Sequence, residues 1–582
     1  MFPEFAAFNV EIKNLRFTTD DGRKYPKTAI LTLISQDGHS EFVEMLGYVD
    51  EKWIFDRITK EEPLVLDHCF IEKLSLADYR FRKGKAIKYP VKIHQFSARS
   101  AFFNNKGTLD LSYAVFSGGE VSLEQAYFAR SSLNMHGIRV MDGGINFNYV
   151  HFSSGHLDLR GMHVDKGDVS FKNAMFGVGW KDFHDASFGD GHTIFTNTEF
   201  GDGDVTFINT QFGNGNVSFK IARFGTGKID FHYAKFRDGD ISFERTEFGD
   251  GMVDFRTAEF HTGRINFNRA VFGEGDLSFE ASGLDKGKIS FRRTQFGEGA
   301  IDFELAEFDN VDANFDRALF GEGSISFRNA RFGTLSLASC HLDYYLDLRL
   351  AHCGHIDLSD TVARDIIDIK PYDFKLDIGT INFSGMRLIG RIFIDWMHNK
   401  VKRLIYDQKD TGNRQKAEQF RVLKENFRVT GQYRDEDNAY VEFKRLESKS
   451  VLEESVSRNR LSSIWIYPLY WFKLVVLDWA GLYATNPVRV MITMLVCYTF
   501  FSIVFMLLSL FTSADIVSAL GDPDRLSLVA KSFYHSAITF LTIGYGDYYP
   551  SGIIRWVSSA VGFTGLFLMS YFTVAFVRKI LR

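Results

Sequence analysis

The sequence predicts a multidomain protein in which a cytoplasmic parallel β-helix is followed by an α-helical connector and an α-helical membrane domain with two spans. Three observations lead to this prediction. A 12-residue pattern repeats without a slip from Ser117 to Phe332, glycine becomes scarce after Trp396, and two long apolar segments lie near the end of the chain. A chain of 582 residues is also too long for a single hydrophobic core.

The composition argues against several classes of protein. The formal net charge of -5 is small for this length and gives no electrostatic reason to expect a nucleic-acid partner. The four cysteines lie far apart, so we expect free thiols and neither a disulfide framework, a zinc site nor a cofactor. No arrangement of nucleophile, base and orienting group is visible, which argues against an enzyme. No secretory signal opens the chain, so we expect the N-terminal part to stay in the cytoplasm.

Residues 1–63 predict a small β-rich domain. The segments 10–18 and 28–35 alternate apolar and polar residues, and 41–49 is a candidate third strand. No motif in this region carries chemistry. Because repeat arrays need their end covered, we expect this domain to cap the β-helix.

The β-helix is predicted over residues 64–395. Its repeat is G-x-G-x-[IVL]-x-F-x-x-[AT]-x-F, for example GNGNVSFKIARF at 213–224. Positions 5 and 7, and again 10 and 12, have the spacing of short strands, and a fixed period indicates a solenoid. A 12-residue coil would leave too little room for two phenylalanines and an aliphatic side chain. We therefore predict 24 residues in each coil.

Small-x-large units at a five-residue step resemble the pentapeptide-repeat family, whose fold is a four-sided parallel β-helix. Every second unit here is two residues longer, so the resemblance implies two widened corners. Gly-Asp-Gly turns such as 201–203 look like the calcium turns of nonapeptide β-rolls, but the period is 12 and the acidic positions often hold other residues. We therefore expect no calcium there. His184, His192 and His232 are expected at outward or turn positions, without clustering.

Residues 396–462 predict a charged helical connector. An apolar stripe at helical spacing runs on both sides of Gly431, which favours a pair of helices. Its basic residues alternate with acidic ones, so we expect them on a solvated face. The stripe consists of Ala417, Phe420, Leu423, Phe427, Tyr440, Phe443 and Leu446, and the basic residues are Arg421, Lys424, Arg428, Lys444 and Arg445.

The membrane domain follows in two parts. Residues 463–486 are apolar and aromatic but interrupted by charges, which favours an interfacial amphipathic helix and leaves a full span as the alternative. Residues 487–582 predict an outer helix at 488–511 and an inner helix at 553–577, each long enough to cross the membrane. A shorter helix at 528–541 lies between them.

The charges around the spans predict their orientation. Basic residues precede the outer helix and follow the inner helix, whereas the loop between them contains Asp515, Asp522 and Asp524. By the positive-inside rule both termini are cytoplasmic, and the cell (inner) membrane is the expected location.

Five residues after the short helix have the strongest resemblance in the chain. The sequence Thr542-Ile543-Gly544-Tyr545-Gly546, within SFYHSAITFLTIGYGDYYP at 532–550, resembles the selectivity filter of potassium channels. The resemblance implies that the carbonyls of the first four residues and the Thr542 hydroxyl coordinate dehydrated K+, the transported ion. The glycines would tolerate the unusual backbone angles. It also implies that Asp547 braces the filter from behind and that four copies form a homotetramer.

The same resemblance makes Gly565 and Gly562 candidates for a gating hinge in the inner helix. Glycine is also frequent in membrane helices for packing alone, so both explanations stay open. Ile538 and Phe540 stand where other members of the family often have polar or small residues, which leaves filter stability and inactivation open.

Together these patterns predict a tetrameric potassium channel, embedded in the lipid bilayer and modulated through its N-terminal β-helix by an unidentified cytosolic ligand or protein. No arginine ladder of a voltage sensor is present, and no ligand-binding domain follows the inner helix, so we expect regulation to enter from the N-terminal side. A passive β-helix fits the sequence as well. The alternative function is a membrane-anchored scaffold or partner-binding solenoid whose pore is non-conducting or poorly selective.

Overall fold

The computed structural model describes residues 2, 5–19, 22–35, 41–105, 107–371, 374–458, 463–519 and 526–581. The predicted acidic positions Asp522 and Asp524 lie outside these residues. The chain divides into two compact units, Met1–Gln408 and Lys409–Arg582. All four cysteines are free, as predicted, and three of them are buried.

The first unit begins with an antiparallel sheet of Ala7–Lys13, Lys27–Ile34 and Glu41–Val49. The third strand also pairs in parallel with Cys69–Ile71, in the register Gly47 to Cys69. The N-terminal sheet therefore continues one face of the solenoid and covers the edge that its first coil would expose. Two short helices flank this junction, α1 (Glu51–Thr59) and α2 (Leu76–Arg82).

The solenoid is a parallel β-helix with about 24 residues in each coil, as predicted. Val205 lies beside Ile229, and Ile229 lies beside Val253, so equivalent residues stack one coil apart. Later coils are shorter, since Ile325 pairs with Leu346. One face is a sheet of thirteen strands: Thr108–Asp110, Ser132–Asn134, Leu157–Asp158, Lys181–Asp182, Val205–Thr206, Ile229–Asp230, Val253–Asp254, Leu277–Ser278, Ile301–Asp302, Ile325–Ser326, Leu346–Asp347, Ile366–Asp368 and Arg391–Phe393.

Phenylalanine ladders fill the core of the solenoid. The ring of Phe231 stacks on Phe207 and on Phe255, with 4.7 Å between centroids in each case. It also meets Phe219 and Phe243 edge to face, at 5.8 and 6.0 Å. Each ring therefore touches its own ladder and the neighbouring ladder, which suits the quadrupoles of aromatic rings.

The corners of the coil are built differently from what the glycines suggest. The ninth residue of the regular repeats is left-handed and is not glycine, as at Asn209 with φ 53° and Tyr233 with φ 58°, whereas only some repeat glycines have positive φ, such as Gly203 with 110°. The glycines instead allow the turns to stack closely, because a Cβ on Gly213 would lie 2.0 Å from the carbonyl oxygen of Gly189. The repeat glycines are thus required by contact between coils.

The turn aspartates connect successive coils. Asp202 Oδ1 accepts a hydrogen bond from the backbone N–H of Thr226 at 3.1 Å, and Asp204 Oδ1 accepts one from Lys228 at 2.9 Å. Their partners lie 24 residues further along the chain, one coil away. A structural role therefore accounts for the acidic turns.

The expectation that His232 stands apart from other ligand-type residues is wrong. Its ring, Asp230 and Asp254 bring potential ligand atoms within 4.8 Å of one another. The carboxylates, however, already contact cations: Lys228 Nζ lies 2.6 Å from Asp230 and 3.0 Å from Asp254, and Arg256 Nη2 lies 2.7 Å from Asp254. Burial alone would raise the pKa of Asp254, but the hydrogen bonds from Arg256 and Lys228 outweigh it and lower the pKa to about 2.

The remaining helices follow the solenoid. They are α3 (Val401–Tyr406), α4 (Asn413–Val429), α5 (Tyr433–Arg458), α6 (Ser463–Lys473), α7 (Pro487–Phe511), α8 (Leu528–Phe540) and α9 (Ile554–Ile580). Helices α4 and α5 form the hairpin that the apolar stripe predicts, and α6 continues into a π-helical segment, Leu474–Trp479. Among the described residues, α7 and α9 are the two helices long and apolar enough to span a membrane, as predicted.

We expect Phe231→Ala to lower the free energy of unfolding of the solenoid by about 3–5 kcal/mol, because it leaves a cavity between four rings. The exposed Tyr233→Asn is the matched control, since Asn occupies the same repeat position at Asn209 in the same left-handed conformation. It should change stability by less than about 0.5 kcal/mol. Denaturant unfolding followed by circular dichroism measures both; equal effects would contradict the ladder as the main source of stability.

Candidate functional site

The pore segment is built from α7, α8 and α9 around one apolar core. Ser527 Oγ caps α8 by accepting a hydrogen bond from the N–H of Ala530. With 13 residues, α8 is only about 20 Å long and cannot cross a bilayer. The core that holds the three helices together contains Phe505, Ala514, Ile516, Phe540, Tyr548, Ile554, Val561 and Leu568.

The backbone after α8 alternates in handedness over the five residues that resemble a filter. Thr542, Gly544 and Gly546 have φ of 56°, 67° and 77°. Positive φ is unusual for a β-branched residue such as threonine, so the surrounding structure must hold it. The N–H groups of Ile543 and Gly544 donate to the carbonyl of Ile538 at 2.9 and 3.3 Å.

The carbonyl oxygens of this segment have a different environment from its N–H groups. Among the described residues, no donor hydrogen-bonds to the carbonyl oxygens of Thr542, Ile543, Gly544 or Tyr545, and all four residues are exposed in the single chain. Backbone carbonyls are strong acceptors that are normally satisfied. A row of four free carbonyls is therefore chemically suited to coordinate a cation.

Asp547 is separated from this row by Gly546 alone, and its side chain connects the segment to α8. Its Oδ2 accepts a hydrogen bond from the hydroxyl of Tyr534 at 2.7 Å, and its Oδ1 accepts one from the N–H of Tyr548 at 3.0 Å. Its own carbonyl accepts from the N–H of Ala519 at 2.7 Å. The side chain thus joins the end of the candidate filter to the helix behind it.

A short two-stranded antiparallel sheet supports the segment that contains α8. Ile516–Ser518 pairs with Tyr548–Pro550. Lys531 on α8 contacts both carboxylate oxygens of Asp515, at 2.5 and 2.6 Å. The strand pair and the ion pair attach the loop after α7 to both ends of this segment.

Residues 493–582 match the family model described as "Ion channel". This segment therefore resembles an ion-channel domain, and residues 493–582 are called the ion-channel domain below. Protein LctB from Bacillus caldotenax is 48% identical over 42 residues, which cover 7% of this chain and 31% of that protein. The match therefore spans about a third of that relative. No solved structure matches the chain.

Packing accounts for the large apolar side chains of Ile538 and Phe540, at positions where potassium channels often have polar or small residues. Both are buried, and Phe540 belongs to the apolar core behind the filter segment. Nearby, His535 Nε2 lies 2.9 Å from the Ser558 hydroxyl, which connects α8 to α9. The bulky apolar residues thus pack the pore helix against its neighbours.

The two candidate hinge glycines of α9 differ in their surroundings. A Cβ on Gly565 would lie 1.9 Å from the carbonyl oxygen of Phe540, whereas a Cβ on Gly562 would lie 3.8 Å from that of Thr539. Gly565 is therefore required for the close approach of α9 to the end of α8. The hinge hypothesis stays a prediction for both residues.

The connector helix α5 contacts the ion-channel domain through ion pairs that sequence reasoning missed. Asp437 lies 3.2 Å from Arg578 and 3.1 Å from Lys579, both at the end of α9. Arg578 also lies over the ring of Tyr440, at 4.5 Å from its centroid. The alternating charges of the connector did not indicate that Asp437 pairs with Arg578 and Lys579, because this pairing depends on how the helices pack.

The expectation that Arg445 lies on a solvated face is wrong. Its guanidinium makes two hydrogen bonds of 2.8 Å to the buried carboxylate of Asp478, in the π-helical segment before α7. These bonds raise the pKa of Arg445 despite its partial burial. The Tyr571 hydroxyl of α9 also donates to the carbonyl of Leu477, at 2.8 Å. The segment preceding α7 is thus bound to α5 and to α9.

We expect Gly565→Ala to destabilise the ion-channel domain by about 1–3 kcal/mol, because the added methyl overlaps the Phe540 carbonyl. Gly562→Ala is the matched control and should be neutral or slightly stabilising, since alanine favours helix by about 1 kcal/mol over glycine. Thermal unfolding of the detergent-solubilised protein measures both. Equal or greater stability of the Gly565 variant would contradict the close contact.

Proposed function

We propose that the protein is a tetrameric, potassium-selective ion channel whose filter is Thr542–Gly546. The observation that carries the proposal is the row of four carbonyls that accept no hydrogen bond from any described residue, on a backbone that alternates in handedness. Such carbonyls can replace the hydration shell of a dehydrated ion. The identity of the residues, TIGYG, agrees with this assignment.

Four copies of the chain are needed, because one loop supplies carbonyls on one side of an ion only. Each chain contributes one α8 and one filter segment, so a homotetramer closes the ring. Asp547, held by Tyr534, braces the filter in each copy. The charges around α7 and α9 support cytoplasmic termini, and hence a solenoid on the cytoplasmic side of the cell membrane.

Ion flux in liposomes tests selectivity. The protein should conduct K+ and exclude Na+, and Gly544→Ala should abolish K+ flux, because alanine disfavours the φ of 67° that the filter requires. Gly412→Ala, which replaces a glycine without positive φ and with open space around it, outside the filter and the candidate hinges, should conduct normally. Equal K+ and Na+ permeation would defeat the selective-channel proposal, and no flux at all would favour the scaffold function.

We also propose that the N-terminal part of the chain modulates this channel through α5. The supporting contacts are those of Asp437 with Arg578 and Lys579, because they join α5 to the end of α9 and a shift of one packed helix can be passed to its neighbour. A ligand or protein that shifts α5 would then have different affinity for the closed and open states. The ion pairs of Arg445 with Asp478 give α5 a second attachment, before the outer helix.

Asp437→Asn tests this coupling. We expect it to shift the closed-to-open equilibrium by about tenfold, since it removes the charge that pairs with two cations at the end of α9. Single-channel recording of open probability is the measurement. Glu447→Gln is the control, because Glu447 pairs with Lys444 on the same helix. An open probability that is the same in both variants and in the wild type would rule out transmission through this contact.

A further inference from the structure

A run of ten exposed residues, 81–90, comprises the last two residues of α2 and the loop that leads to the strand Val91–Ile93. Both ends of the run are anchored. Arg80, which is buried, donates to the Ser112 carbonyl and hydroxyl at 2.7 and 2.8 Å, and the N–H of Val91 donates to the carbonyl of Tyr113 at 3.1 Å. The residues at both ends of the run are thus fixed by hydrogen bonds to Ser112 and Tyr113. We name residues 81–92 the basic loop.

The basic loop concentrates positive charge in a chain that is slightly acidic. No aspartate or glutamate occurs between Asp78 and Asp110. Among the described residues, no carboxylate forms an ion pair with the lysines of the loop, whereas Arg82 pairs with Glu51. The unpaired lysines are Lys83, Lys85, Lys88 and Lys92.

The basic loop also exposes large apolar side chains. Phe81 is 85% exposed and Ile87 is 82% exposed. Tyr89 is partly exposed, with Lys85 Nζ 4.7 Å from its ring centroid. Lysines interleaved with exposed aromatic and aliphatic residues are typical of segments that bind the headgroup region of a bilayer.

We propose that the basic loop binds the anionic headgroups of a membrane surface. The lysines supply electrostatic attraction to anionic lipid, and Phe81 and Ile87 can insert below the headgroups. The two candidate spans of the same chain keep a bilayer permanently available, so a weak site suffices. A nucleic acid would contact the lysines through its phosphates and stack a base on Tyr89, but it has no apolar interior in which Ile87 could be buried.

Liposome flotation of the full-length protein tests the proposal. The protein, held in nanodiscs of neutral phosphatidylcholine, is mixed with liposomes of phosphatidylcholine alone or with about one third phosphatidylglycerol. We expect flotation with the anionic liposomes only. The triple variant Lys83→Glu, Lys85→Glu, Lys88→Glu should reduce affinity about a hundredfold, and Phe81→Ser with Ile87→Ser about tenfold or more.

A second triple variant, Arg237→Glu, Lys286→Glu, Arg292→Glu, is the matched control, because it changes the net charge equally at exposed solenoid positions. It should bind as the wild type does, and circular dichroism checks that every variant is folded. Equal binding to neutral and anionic liposomes would overturn the proposal, as would an equal loss in the control. Loop-dependent binding of single-stranded RNA, with liposome binding insensitive to Phe81 and Ile87, would also overturn it. The readout is independent of ion conduction.

Discussion

The main constraint in the C-terminal unit is a row of four successive carbonyls, Thr542 to Tyr545, that accept no hydrogen bond from the described residues. Such a strand cannot stabilise itself, because regular secondary structure would pair the same carbonyls. The neighbours therefore hold it from behind: Ile538 accepts the first N–H groups, and Tyr534 binds Asp547 at the other end. The apolar core, the pairing of Ile516–Ser518 with Tyr548–Pro550 and the close contact of Gly565 with Phe540 fix α8 in turn. Helices α7, α8 and α9 together hold this one exposed segment in place.

The solenoid follows a different constraint: each coil must stack on a neighbour with nearly the same shape and sequence pattern. Because each residue lies above its equivalent about 24 positions away, an aromatic ring stacks on a ring and a turn carboxylate meets the backbone of the next turn. Glycine is needed where turns touch, since a side chain there would enter the neighbouring coil. Regular stacking thus leaves the outer surface free to vary, and the basic loop departs most from the average charge of the chain.

The connector, residues 396–462, links the solenoid to the C-terminal helices along the chain. Helix α5 carries Asp437, which contacts the basic end of α9 in the ion-channel domain, and Arg445, which contacts Asp478 in the segment before α7. Charges that are partly removed from water interact more strongly than surface pairs, so these contacts can transmit a preference between two states. Ion pairs at both positions attach α5 to the end of α9 and to the segment before α7.

Periodicity and local sequence determined much of the fold. The solenoid, its 24-residue coil, the helical hairpin and the two spans follow from patterns that repeat at the period of the structure they form, and TIGYG pointed to the ion-channel domain. Only the tertiary structure decided the partners of single side chains. It placed Arg445 against Asp478, brought His232 to Asp230 and Asp254, and gave Gly565 a packing role. Such contacts join residues far apart in the chain, where no spacing rule operates, and each depends on the packing of whole elements.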